Sequence, residues 1–243
     1  MKLLISVDLE GGAGFVHPTE TNPDRYDYER GRALMTAEAN AVIAGVLDAE
    51  PDAVVRVADA HGTFRNLLPE ELDRRAHLVR GTPRPLGMLA GLDEHTDALL
   101  PVGYHARAGA GPAVLAHPMS DAILDVRVAG RSVGEIGLNV ATAGHLDVPV
   151  VLLSGDDTAC AEFSELVPSA VTDAVKQTLG QAAAVTLHPQ EARERLRHAA
   201  ADAIAPDEVR YRPAARTLVA EIAHSGRAAA SVARLATLVG LSR

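Results

Sequence analysis

The chain is poor in the residues that several common functions need. It has no tryptophan, four tyrosines and three phenylalanines among 243 residues, so stacking platforms for bases or sugar rings are not expected. Its one cysteine, Cys160, excludes an internal disulfide and makes a reducing, cytoplasmic location the expectation. By itself Cys160 reads as a small buried hydrophobe on a helix. Lysine and arginine total 23 against 32 acids, a formal charge of −9 without a long basic run. That balance argues against nucleic acid or an anionic membrane as a partner. No stretch approaches the ~18 apolar residues of a membrane span. The opening MKLLISV is too short for a signal-peptide core before Asp8 interrupts it. The phosphate-loop pattern GxxxxGK[ST] is missing, and GxGxxG fails after Gly11 because His17 stands where the last glycine belongs. A GxSxG nucleophile elbow is missing too.

What is present alternates between strand and helix patterns. Leu3–Glu10, Ala53–His61, His77–Gly81, Asp97–Ala106 and VPVVLLSG read as strands. Pro101 lacks a ladder donor, which predicts an edge or a bulge for its strand. AILDVRVAGRSV reads as a hairpin turning at 129–131. A helix is expected from Asp27 as N-cap to about Asp48, with Met35, Ala39, Val42 and Val46 as its apolar stripe. LLPEELDRR reads as a short helix or turn and PLGMLAGL as a short helix. Longer helices are expected over GEIGLNVATAGHLD, after Asp156-Asp157, and from Pro189 with Ala192, Leu196, Ala199, Ala203 and Ile204 inward. The tail from Val219 reads as a short strand and a helix. The fold class is α/β, with a mainly parallel central sheet and helices on both faces. Residues 1–180 form the core and 181–243 a helical C-terminal extension of the same compact unit.

Acids and histidines gather where these strands end, the edge at which open α/β sheets place ligands. If Asp8 and Glu10 share a strand face, their carboxylates lie about 5 Å apart and repel by roughly 3 kcal/mol at an effective dielectric near 20. Asp59 and His61 end the second strand, His105 follows the Asp97 strand, and Asp156-Asp157 follows VPVVLLSG. Glu135 opens a helix, where an acid complements the dipole. Each has a structural reading: a solvated histidine, a helix cap, a dipole partner. Together, two imidazoles and at least two carboxylates on one edge are costly unless a cation neutralises them, and the donor set suits zinc-like divalent ions. A shared carboxylate could bridge two ions ~3.5–4 Å apart. The glycines after Glu10 leave room for backbone beside such a site.

The motifs SVDLEG, ADAHG, GYHA, LAHPM and VGEIGLN, with YERGRALMTAEAN, VPVVLLSGDD and AVKQT, occur in the order and spacing of the zinc-dependent D-aminopeptidases of the DppA type. The chain resembles that family over about residues 1–180. The resemblance implies two divalent metal ions, Zn²⁺ in the family, held by Asp8 as bridging carboxylate, Glu10, His61, His105 and Glu135. It implies His117 as a catalytic histidine that is not a ligand; the residues alone do not separate His117 from His95 or His145. The implied activity is hydrolysis of the N-terminal amide of short peptides beginning with a D-amino acid. A metal-bound water attacks, and His117 stabilises the oxyanion or passes a proton to the leaving amine. The implied assembly is a ring-like homo-oligomer acting on a small peptide or amide.

Three features depart from the family pattern: Pro118 after His117, where a small polar residue is usual; Pro101 before His105; and a short stretch after His224-Ser225-Gly226. They leave room for a related amidohydrolase acting on a specialised amide or biosynthetic intermediate, or for a catalytically silent metal-binding member. Two-metal phosphoester chemistry has only Arg107 nearby as a phosphate clamp.

Overall fold

Strand β1 (Lys2–Val7) is apolar on both faces because both are covered. Leu3, Ile5 and Val7 enter one core cluster and Leu4 enters another on the opposite face, as a period-two strand requires. The computed structural model describes residues 1–120, 123–128, 130–205 and 220–224. After β1 come α1 (Pro18–Thr21), α2 (Tyr28–Ala49), β2 (Val54–Asp59), β3 (His77–Val79), a 3₁₀ turn at Gly87–Leu89 and β4 (Ala98–Val102). The hairpin β5 (Ile123–Val128) and β6 (Arg131–Val133) precedes α3 (Glu135–His145), β7 (Leu152–Asp156) and α4 (Asp157–Leu166). A second hairpin, β8 (Val171–Gly180) and β9 (Ala183–Thr186), leads to α5 (Pro189–Ile204) and β10 (Ala220–His224).

The parallel sheet runs β3-β2-β1-β4. It continues into β7-β8-β9 through bridges between Leu99 and Val150 and between Tyr104 and Gly155. A small antiparallel sheet, β10-β5-β6, stands apart. On one face of the main sheet, Met35, Ala39, Val42, Ile43 and Val46 of α2 meet Ala192, Leu196 and Ala200 of α5. On the other face, Ile136 and Val140 of α3 and Phe163 of α4 cover Leu4, Leu99 and Leu153. Each of the larger side chains among them (Val, Leu, Ile, Met and Phe) contributes about 1.5–3 kcal/mol on full burial, which fixes which strand face meets which helix pair.

The expected α/β class holds, with helices on both faces. Several local expectations change. Pro101 is neither on an edge nor at a bulge: β4 lies between β1 and β7, and Pro101 pairs in register with Ser6. The nitrogens on that side of β4 face β7, where Leu99 N–H donates to the Pro149 carbonyl and Gly103 N–H to Ser154 Oγ. Pro101 occupies the interval between them, where the ladder to β7 is interrupted, so no donor is missed. The first strand ends at Val7 rather than Glu10. LLPEELDRR forms turns, one of the two readings expected of it. The β8–β9 hairpin was not legible, because VTDAVKQTLG mixes an aspartate, a lysine and a glutamine into its alternation. Pro189 does open α5, with His188 as its N-cap. The strand expected in the tail is β10, and the helix expected after it lies outside the described residues.

Candidate metal centre

Each candidate ligand sits just past a strand end or at a helix start. Asp8 extends the β1 ladder by one bond, its N–H donating to the Val102 carbonyl at 2.8 Å. The chain then turns, with Gly12 N–H bonding the Leu9 carbonyl. Glu10 therefore reaches the site through a turn, not through strand alternation. The turn lies against the backbone after β4: Gly11 N–H donates to the Gly103 carbonyl at 2.8 Å, and a Cβ on Gly11 would fall 2.0 Å from the Tyr104 carbonyl oxygen. His61 follows β2, His105 follows β4, and Glu135 is the first residue of α3.

The side chains converge. His61 Nδ1 lies 2.9 Å from Glu10 Oε2 and 3.3 Å from Asp8 Oδ1. His105 Nε2 lies 3.1 Å from Glu135 Oε2 and 3.7 Å from Asp8 Oδ2. The two oxygens of Asp8 thus face different imidazoles. The opposite nitrogen of each ring is committed to a backbone carbonyl, His61 Nε2 to Thr21 at 2.8 Å and His105 Nδ1 to Ala106 at 3.0 Å. Those carbonyls accept, so both rings hold a proton on the far side and present the near nitrogen to the carboxylates. Thr21 ends α1, whose capping box of His17 and Glu20 fixes where its carbonyl lies.

His117 lies beside this group. Its ring stacks on His105 with centroids 4.1 Å apart and planes 12° apart, and its Nδ1 is 2.7 Å from the Leu115 carbonyl. Leu115 (φ 52°) and Met119 (φ 50°) flank it in the left-handed region, a strain that persists only where surroundings hold it. Met119 N–H donates to Glu135 Oε1 at 2.7 Å, supplying next to Pro118 the donor that proline lacks. His95 and His145 are exposed, so position singles out His117.

The charges conflict unless a cation is supplied. Asp8, Glu10, His105 and Glu135 are all buried. Burial, reinforced by Glu10, pushes the Asp8 carboxyl up to about 7. Burial also works against ionised Glu10 and Glu135, but His61 and His105 respectively outweigh it and hold both low. The imidazoles respond in the opposite sense. Burial would lower them, yet Glu135 and Asp8 lift His105 to about 10, and Glu10 and Asp8 lift His61 well above its ordinary value. The pocket draws in positive charge. Among the described residues, Asp8 Oδ2 and Glu10 Oε2 are buried oxygens without a hydrogen-bond partner, as is Asp173 Oδ2 elsewhere. Two groups have ligand atoms within 4.8 Å of one another: Asp8, Glu10 and His105; and His105, His117 and Glu135. Buried carboxylate oxygens beside imidazole nitrogens are the donor set that zinc takes, and a cation there would replace the protons that the acids otherwise draw onto the two rings.

Other acids on this edge are structural. Asp59 accepts from the backbone N–H of Asn66 and Leu67 and from the Asn66 amide, which also holds the His61 carbonyl. Asp156 caps α4 through Ala159 N–H and fixes Val114 N–H. Asp157 Oδ1 accepts from Thr178. Arg107 turns its guanidinium to the Ala108 carbonyl. The residue that sequence reading missed is Lys176. It is buried on β8, and its Nζ donates to the carbonyls of Glu10, Gly12 and Phe15 at 2.5, 3.1 and 2.7 Å. Its only signal was a lone lysine within the AVKQT motif.

Comparison with known proteins gives the family. The model of peptidase family M55, described as D-aminopeptidase, matches residues 1–242. A D-aminopeptidase of Bacillus subtilis (strain 168) is 42% identical over 192 residues, 79% of this chain and 69% of that protein. The solved structure of a Zn-dependent D-aminopeptidase from Bacillus subtilis, described as a self-compartmentalizing protease, superposes with a TM-score of 0.90 at 37% identity. That match covers 97% of this chain and 85% of the other. By fold, motif order and sequence, the chain belongs to the D-aminopeptidase family.

Proposed function

We propose that this protein removes the N-terminal residue, a D-amino acid, from short peptides at a two-zinc site formed by Asp8, Glu10, His61, His105 and Glu135. The observation that carries the reading is the pair of unpartnered buried oxygens on Asp8 and Glu10, facing imidazoles whose far nitrogens are already committed. The reading of two ions rather than one is supported by Asp8, whose Oδ1 faces His61 and whose Oδ2 faces His105. The zinc-dependence and D-aminopeptidase activity of the relatives supply the metal and the substrate class. Zinc held there supplies Lewis acidity toward a carbonyl oxygen and acidifies water near neutral pH.

The chain's own groups do the rest. His117 donates from Nδ1 to the Leu115 carbonyl, which leaves Nε2 as a base. Nε2 takes a proton from the attacking water and returns it to the leaving amine. Met119 N–H and His105 hold Glu135 from two sides. The self-compartmentalizing relative supports a homo-oligomer as part of this proposal, with a ring as its expected form.

The test is hydrolysis of D-Ala-D-Ala, D-aminoacyl amides and their L-counterparts before chelation, after it, and after added Zn²⁺. Cleavage of the D-series that disappears with chelation and returns with zinc is expected. Full turnover by metal-free protein, or silence across the panel with both metals bound, would overturn the reading.

A further inference from the structure

Next to the candidate ligands in sequence lies a buried chain of polar side chains inside an otherwise apolar cluster. Ser6 Oγ donates to the Met88 carbonyl at 2.8 Å, so its oxygen accepts from the Tyr104 hydroxyl at 2.7 Å. The Tyr104 oxygen in turn accepts from Asn139 Nδ2 at 3.0 Å. Every proton has one direction, running from Asn139 through Tyr104 and Ser6 to the carbonyl. Around it are Leu4, Ala58, Leu89, Leu99, Ile136 and Val140.

Stability alone gives little reason for these hydroxyls. A buried hydrogen bond nets about 1 kcal/mol, and replacing both partners by apolar groups of similar shape is close to neutral. Position gives a better reason. Ser6 is two residues before Asp8 on the same strand face. Tyr104 immediately precedes His105. Asn139 stands one helical turn after Glu135 on the same face of α3. The chain therefore ties together the three elements that present Asp8, His105 and Glu135, and it sets their spacing through directional bonds that apolar packing lacks.

We infer that Tyr104, through Ser6 and Asn139, is a positioning residue that fixes the distances among Asp8, His105 and Glu135 and so sets metal affinity; the inference rests on those residues being ligands. Tyr104→Phe deletes the central hydroxyl and keeps the ring. Ser6→Ala deletes the acceptor of the Tyr104 hydroxyl, together with the donor to the Met88 carbonyl, and serves if the first variant does not fold. Zn²⁺ affinity is measured by competition with a chromophoric chelator, well below each variant's melting temperature. Binding weaker by roughly tenfold or more is expected, with kcat lowered and KM for D-Ala-D-Ala little changed. A lowered melting temperature with wild-type Zn²⁺ affinity in both variants would mean a merely structural network and overturn the inference. Wild-type protein that takes up no Zn²⁺ would overturn the metal reading itself, and the inference with it.

Discussion

The imidazole rings of His105 and His117 lie stacked, 4.1 Å between centroids and 12° between planes. Both rings are held through Nδ1, by the carbonyls of Ala106 and Leu115, so their Nε2 atoms serve the site. His105 Nε2 is turned to Glu135 and Asp8. His117 adds a second imidazole at the same place, its ligand atom grouped with those of His105 and Glu135. With His105 proposed as a ligand and His117 as a proton carrier, His117→Ala has a clear expected outcome. Zinc content, measured by elemental analysis, stays at the wild-type value, while kcat for a D-dipeptide falls by about 10²–10⁴. Loss of one zinc per chain would instead make His117 a ligand, as its grouping with His105 and Glu135 allows.

Glu38 gives a pH dependence remote from catalysis. It is buried on α2, where its Oε1 accepts from Ala13 N–H at 2.7 Å. Burial pushes its carboxyl up from 4.5 to about 7, against the pull of that N–H and of Lys176. Between those pH values the folded state holds a proton that the unfolded state has released, so this group's contribution to stability falls as pH rises. Glu38→Gln keeps the acceptor and removes the titration. In urea unfolding from pH 4 to 8, the variant gains on the wild type as pH rises, by up to about 3 kcal/mol. A difference that does not change with pH would refute the assignment.

Much of this was legible in the sequence where one local rule governs. Leu3–Val7 is apolar on both faces because helices cover both, and Pro189 starts a helix because its missing N–H costs nothing there. Asp8, Glu10, His61, His105 and Glu135 could be gathered because each follows a strand or opens a helix. The rest depends on contacts distant in sequence. The turn that delivers Glu10 is set by backbone after β4, not by its own alternation. Pro101 looked like an edge signal, but the gap it fills exists only once β7 is in place. His117 could not be told from His95 and His145 without the ring stack. Lys176 stands more than 160 positions from the carbonyls it serves.

Lys176 also makes a prediction. Its three N–H bonds satisfy the carbonyls of Glu10, Gly12 and Phe15, and burial pushes its amine down to about 8 despite Asp156, Glu38 and Glu10. Lys176→Met keeps the apolar stem and leaves three carbonyls without a donor. Each unsatisfied group costs about 1–3 kcal/mol. The variant is expected to melt far below the wild type and, where still folded, to bind Zn²⁺ more weakly because Glu10 is no longer fixed. Unchanged melting and unchanged zinc affinity would show that water replaces the ammonium at no cost.

Gly11 is the narrowest point of the site. A Cβ there would lie 2.0 Å from the Tyr104 carbonyl oxygen and 2.5 Å from the Gly103 carbonyl carbon, both backbone atoms. Neither strand end can retreat easily. Gly11 N–H is bonded to the Gly103 carbonyl, and Gly103, at φ +70°, abuts the Asp8 carbonyl so closely that its own Cβ would fall 2.5 Å away. Gly11→Ala must therefore lift the Asp8–Gly12 turn off β4, carrying both carboxylates away from His105. The expected outcome is destabilisation of roughly 3 kcal/mol or more and loss of zinc from any folded fraction. Gly111→Ala is the control, since nothing lies within 4 Å of its Cβ position, and its effect should stay within about 0.5 kcal/mol. Equal behaviour of the two variants would mean that the turn is free to move, and that Glu10 is not held in place by the backbone beneath it.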